Sequence, residues 1–222
     1  MPSALHGSDL APAEAERSVA YSATDLADLF VLLAAAFAPP PAALTGRDWC
    51  ETLADDLSDL GAALAIDTAT TARALRETAG GPLAEEPWLV EYSRLFLVPP
   101  VPVTLNTGIY LEGGLAGVSA QMMAQCYATA GFVQRESFRD LPDHVAIQLE
   151  FVGALLERAA RADVDAFAMA HEFADGFVTH WVRPLQAACA KGIGRFPAAT
   201  VYAGLAGLTA GAVDRILASP TA

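Results

Sequence analysis

From Asp25 onward the apolar residues recur at helical spacing. Leu26, Phe30, Leu33 and Phe37 stand four, three and four apart, which lays them along one face of an α-helix. Pro39, Pro40 and Pro41 end that helix, because proline lacks the backbone donor and clashes with the preceding turn. A second helix is expected from about Gly46, with Trp49, Leu53, Leu57 and Leu60 on one face and Glu51, Asp55, Asp56 and Asp59 mostly off it. A third, over residues 68–79, stops at Gly80-Gly81-Pro82, a strong breaker. Residues 85–97 are helical again and place Trp88, Tyr92, Leu95 and Phe96 on one broad face. Residues 98–107 hold Pro99, Pro100 and Pro102 and are expected to run extended.

The pattern then predicts a helix over 115–130, closing at Gly131. Leu141-Pro142-Asp143-His144 opens the clearest helix, where Val145, Leu149, Val152 and Leu156 repeat at four, three and four. Two more are expected near 163–189, with Phe173, Phe177 and Trp181 four apart, and over 198–217. Sustained strand alternation and internal repeats are absent. Residues 1–20 carry no periodicity and read as a flexible lead, so the expectation is an all-α protein with one helical-bundle domain over 21–222.

Composition narrows the function classes. At 222 residues, with 54% hydrophobic and 18% charged, the chain is long and apolar enough to bury roughly 70% of its extended surface without disulfides or metals. The charge-free run 29–46 is interrupted by its three prolines and no transmembrane span is expected. Asp9, Glu14 and Glu16, with no basic stretch before an apolar core, do not form a secretory signal, which places the protein in the cytoplasm. A net charge of −13 repels a phosphate backbone and favours a basic partner. Cys50, Cys126 and Cys189 are far apart and odd in number, and read as buried reduced thiols rather than a disulfide framework or zinc site.

Catalytic sets are sparse. Gly113, Gly114 and Gly117 are not followed by the Lys-Ser/Thr of a phosphate loop. His6, His144, His171 and His180 include no pair at metal-ligand spacing with a third ligand nearby, and no serine nucleophile elbow occurs. No metal or cofactor is expected. Two constellations remain. Tyr92, Leu95 and Phe96, bordered by the proline-rich segment and Tyr110, form either a groove for an apolar peptide or ordinary core. In Leu141-Pro142-Asp143-His144, Pro142 and Asp143 suit a first helical turn. His144 is disfavoured there when charged, so it is neutral or paired with an acid. An Asp-His pair also suits ligand binding or acid-base chemistry. If Pro142 starts the helix, Asp143 and His144 are left to face a groove, and Asp143→Asn is expected to leave folding within about 1 kcal/mol.

Tyr92-Ser93-Arg94-Leu95-Phe96, the prolines, Tyr110, Gly131-Phe132 and the run from Leu141-Pro142-Asp143-His144 through Glu150-Phe151 together resemble the TorD/DmsD/NarJ family of redox-enzyme maturation chaperones. Phe173 to Trp181 and Phe196-Pro197 to Tyr202 are similar to that family's closing helices, and the likeness covers roughly residues 25–217. The resemblance implies an all-helical cytoplasmic chaperone, not an enzyme and without a cofactor of its own. Its partner would be the catalytic subunit of a molybdenum oxidoreductase. It would bind the subunit's twin-arginine leader and apo-form until the molybdopterin cofactor is inserted.

Carried over by position, Tyr92, Leu95, Phe96, Tyr110, Pro142, Asp143 and His144 would line the leader-binding region, with Glu150 and Phe151 in possible support. The chain departs from the family at Thr107-Gly108, where many relatives carry Glu-Ser, and at Phe177, where histidine is common. These departures bear on the identity of the client, and clients with and without a twin-arginine leader are both compatible with the pattern. Monomer and homodimer both remain open. Two further readings stand beside this one. An all-helical enzyme or ligand-binding protein would use Asp143 and His144 in a closed polar cavity, and a passive helical assembly subunit would show no groove.

Overall fold

The chain is all-α, as its periodicity predicts. The computed structural model describes residues 12–134 and 138–219, and the side chains among them outside 12–22 and 164. Helix α1 (Pro12–Phe37) reaches back into the stretch read as a lead, whose first eleven residues lie outside the described ones. It is followed by α2 (Gly46–Leu64), α3 (Ala69–Ala79) and α4 (Trp88–Phe96). The short α5 (Gly108–Leu111) and α6 (Val118–Thr129) come next, then α7 (Val145–Ala160) and α8 (Val164–Phe173). A π-helical turn, Ala174–Val178, leads into α9 (Thr179–Lys191), and α10 (Ala198–Ala218) closes the fold.

Local chemistry fixes the ends. Thr45 caps α2, its Oγ1 accepting from the Asp48 N–H at 3.1 Å. The start of α2 is tied to the start of α4 by Gly46 N–H to the Glu86 carbonyl at 2.8 Å and Trp88 N–H to the Leu44 carbonyl at 2.9 Å. A Cβ at position 46 would stand 2.3 Å from the Leu83 carbonyl oxygen, so only glycine allows this approach. Asp163 caps α8 and pairs with Arg158 at 2.7 Å, while Arg158 also donates to the Ala130 carbonyl at 3.0 Å. That one guanidinium therefore ties the ends of α6 and α7 to the start of α8.

The core is organised by two aromatic clusters. Tyr202 of α10 is wholly buried and its ring meets those of Phe37, Trp49, Trp88, Tyr92 and Phe96 at centroid distances between 4.7 and 6.3 Å. Trp88 Nε1–H donates to its hydroxyl at 3.2 Å. The second cluster surrounds Phe151 of α7, with Tyr127 at 4.8 Å, Phe132 at 5.2 Å and Phe173 at 4.9 Å. Helix α1 packs along α7, α2 against α3, and α9 against α10.

Two expectations need correction. Cys50 and Cys189 are buried thiols, but Cys126 is only half-buried; burial raises the thiol pKa of Cys50 and of Cys189 to about 12. The helix expected over 163–189 is interrupted by the π turn, whose extra residue shifts Phe177 to a half-buried position while Phe173 and Trp181 stay in the core. Helix α10 is long and apolar enough to cross a membrane by length and composition, and here 61% of that stretch is buried inside the fold.

The contributions at Tyr202 separate by substitution. Tyr202→Phe removes only the Trp88 hydrogen bond and should cost about 1 kcal/mol, whereas Tyr202→Ala removes the ring that five others meet and should cost about 3–5 kcal/mol. Urea denaturation followed by tryptophan fluorescence reads both.

Candidate functional site

The prolines of the 98–107 crossing carry no backbone N–H, which reduces the donors this irregular segment must satisfy. What holds the crossing in place is Asp143. Its backbone carbonyl accepts from Thr107 N–H at 3.0 Å, Thr107 Oγ1–H at 3.1 Å and Gln148 Nε2–H at 2.8 Å. Its carboxylate accepts from Gly108 N–H at 2.8 Å and from Asn106 Nδ2–H at 3.4 Å. Gln148 donates further to Thr107 Oγ1 at 2.8 Å and accepts from Trp181 Nε1–H at 2.8 Å. The network thus joins α7, α9 and the crossing. Asp143, Thr107 and Gln148 are all buried. A Cβ at Gly108 would lie 2.9 Å from the Asp143 carboxylate and 2.6 Å from the Gly114 carbonyl oxygen, so the absent side chain is what lets the carboxylate reach the backbone.

His144 is the N-cap of α7, which begins at Val145, so Pro142 lies outside the helix rather than in its first turn. The His144 Nδ1 accepts from Ala146 N–H at 3.1 Å, which fixes the neutral imidazole with its proton on Nε2, 4.0 Å from Asp140 Oδ2. Burial lowers the His144 pKa, and the nearby Asp140 and Asp143 oppose that shift. Of the two open readings of His144, the neutral cap is the one present. Tyr127 O–H donates to the Pro142 carbonyl at 2.9 Å, anchoring the entry to the helix.

The remaining residues singled out by sequence divide sharply. Tyr92, Leu95 and Phe96 are buried in the Tyr202 cluster, with Tyr92 O–H donating to the Phe37 carbonyl at 3.1 Å. Tyr110 is half-buried, donating to the Thr104 carbonyl at 2.9 Å, and burial raises its pKa. Tyr92, Leu95, Phe96 and Asp143 are thus buried, the first three in the core and Asp143 in the clamp on the crossing. Asp143, expected to face a groove, is instead completely buried.

Glu150 and Phe151 are placed differently. They help line a groove of about 630 Å³ between α1 and α7, whose walls include Val31, Ala34, Ala35 and Ala38 on one side and Ile147 and Ala154 on the other. Tyr127, Phe132 and Phe138 close it, and Glu157 stands with Glu150 among its lining. Phe138 packs edge-on against His144 at 5.1 Å, so the capped end of α7 supports the groove from behind. The sequence named only one of the two walls, since α1 and α7 are far apart in the chain. Gln148 was also missed as a functional contact, although a glutamine within the apolar repeat of α7 is the signal of a buried polar partner.

Two outcomes follow for the Asp143 region. Asp143→Asn places an amide where two N–H donors converge, so it should destabilise the fold by about 1–3 kcal/mol rather than leave it unchanged, as measured by urea denaturation. For His144 the unfolded side chain binds a proton below about 6.5 while the folded one resists it, so stability is full above that pH and is lost as pH falls through it. The carboxylates held low by hydrogen bonds, Glu112 beside Ser119 and Asp163 beside Arg158, act only at lower pH. Thermal melts should therefore fall between pH 7 and 5, and His144→Asn, which keeps a capping oxygen, should flatten that fall.

Residues 60–187 match the family described as nitrate reductase delta subunit. A crystal structure titled "a putative redox enzyme maturation protein", from Archaeoglobus fulgidus, superposes with a TM-score of 0.46 at 19% identity, over 85% of this chain and 91% of that one. No curated protein matches the chain. With more than half of its length inside the family match, from within α2 into α9, the chain belongs to the nitrate reductase delta subunit family, the NarJ/TorD-type chaperones of redox-enzyme maturation.

Proposed function

We propose that the protein is a cytoplasmic chaperone that binds the amino-terminal leader and apo-form of a molybdoenzyme catalytic subunit and holds it until the molybdopterin cofactor is inserted. The observation that carries this reading is the α1/α7 groove, apolar along its floor and lined by the carboxylates Glu150 and Glu157. A twin-arginine leader is basic at its front and apolar behind. Its apolar part loses hydrated surface in such a groove, and a chain of net charge −13 offers the leader's arginines carboxylates for charge-assisted, bidentate bonds. Tyr92, Leu95, Phe96, Tyr110, Pro142, Asp143 and His144 then act on leader binding through the shape of the groove, by fixing α4, the crossing and the start of α7. A leader that orders on binding loses chain entropy, which sets an affinity near micromolar, about −8 kcal/mol.

The acid-base reading of Asp143 and His144 has less support, because the Asp143 carboxylate and the Nδ1 lone pair of His144 are already occupied by backbone and side-chain donors.

Calorimetric titration with the leader of the organism's own molybdoenzyme catalytic subunit should give saturable binding that weakens with salt but persists, since apolar contacts remain. Ile147→Glu, on the half-buried groove wall, should weaken it about ten-fold or more while the protein stays folded. Absence of heat with both the leader and the whole apo-subunit would rule the reading out.

A further inference from the structure

The groove continues across α1. Val31 and Ala35, which line it, also line a second hollow of about 340 Å³ between α1 and α2, whose other walls are Leu32, Leu60 and the carboxylates Asp28, Asp56 and Asp59. Val31 and Ala35 are both exposed, so the two hollows meet over a low ridge that a bound chain crosses without displacing a large side chain. Asp56 and Asp59 are three apart on α2 and share a face. All three aspartates are exposed, and none forms an ion pair among the described residues, whereas the adjacent Asp55 is held by Arg76 at 2.9 Å. In the larger groove Glu157 is already paired with Arg161 at 2.6 Å and Glu150 also has a partner. The unpaired negative charge therefore sits at the α1/α2 end and the apolar floor at the α1/α7 end.

We infer that the two hollows form one seat for a single peptide segment, with its apolar stretch between α1 and α7 and its arginines over Asp28, Asp56 and Asp59. This rests on the leader-binding reading and adds a direction to it. Three like charges at one end of an apolar trough repel one another, and a pair of guanidinium groups relieves that repulsion. Arginine at the opposite end would meet carboxylates that already have partners.

The test uses fluorescence anisotropy with a labelled synthetic peptide carrying two adjacent arginines before a Leu/Ala stretch, and a twin with glutamines in place of the arginines. In the full-length protein, Asp28→Asn/Asp56→Asn/Asp59→Asn should weaken the arginine peptide roughly five- to ten-fold at low ionic strength, as two or three exposed ion pairs would, and leave the glutamine twin unchanged. A remote variant with the same charge change, Asp165→Asn/Glu172→Gln/Asp175→Asn, should leave both peptides unchanged. Ala35→Arg, at the ridge where the hollows meet, should weaken both. Equal losses from the local and remote variants would reduce the effect to net charge and overturn the inference. An unaffected arginine peptide in the local variant would also overturn it while leaving the leader-binding reading intact. Failure of the unaltered protein to bind either peptide or the native leader would remove both.

Discussion

One backbone carbonyl, that of Asp143, takes hydrogen bonds from three donors, and the side chain of the same residue takes two more. Everything on the α4 to α7 side of the molecule depends on this point. The proline-rich crossing has no regular secondary structure with which to satisfy itself, and it passes next to the core. A segment of that kind is stable only if its remaining polar groups find partners. Asp143 supplies them from just ahead of the N-cap of α7, and Gln148, in the first turn of that helix, both fills the space behind and passes the constraint to Trp181 of α9. Because each member is buried and satisfied, losing any one would strand its neighbours without water to replace it.

The two aromatic clusters sit on either side of this clamp. The Tyr202 cluster fastens α1, α2 and α4 to α10, and the Phe151 cluster fastens α6 and α8 to α7. Helices α1 and α7 are the partners that connect the two. Between them Gly153 faces Ala27 and Val31, and a Cβ there would stand 3.0 Å from the Val31 side chain. Along the same seam stand Ala34 and Ala35 of α1 and Ala38 just beyond its end, too small to fill the space toward Ile147 and Phe151. The groove is thus a consequence of small residues at a helix pair whose separation is set by aromatic packing elsewhere.

Much of this was legible in the chain. The spacing of Leu26, Phe30, Leu33 and Phe37, and of Val145, Leu149, Val152 and Leu156, located the core faces of α1 and α7, and all eight side chains are buried. Breakers located the ends of α1 and α3 to within a residue or so. The site was harder to read. Tyr92, Leu95 and Phe96 carry the signature of a binding face and of a core equally well, because helical periodicity says that a face is apolar and not what covers it. Asp143 and His144 were noticed as polar residues needing a reason, but the reason lies in Gly108 and Ala146, one of them far off in sequence. The π turn was invisible for a different cause: inserting one residue into a helix leaves an apolar pattern that still reads as spacings of four.

The two walls of the groove lie far apart in the chain, α1 opening the described part and α7 following five intervening helices. Helices of this kind form within microseconds as local structure, whereas joining α1 to α7 requires closing a loop that contains every element between them. A nascent chain that has released only α1 to α6 from the ribosome possesses one wall and no groove. Competence to hold a ligand there is therefore acquired only when α7 docks, which makes occupancy of the groove a report that synthesis has passed α7 and that this helix has found α1.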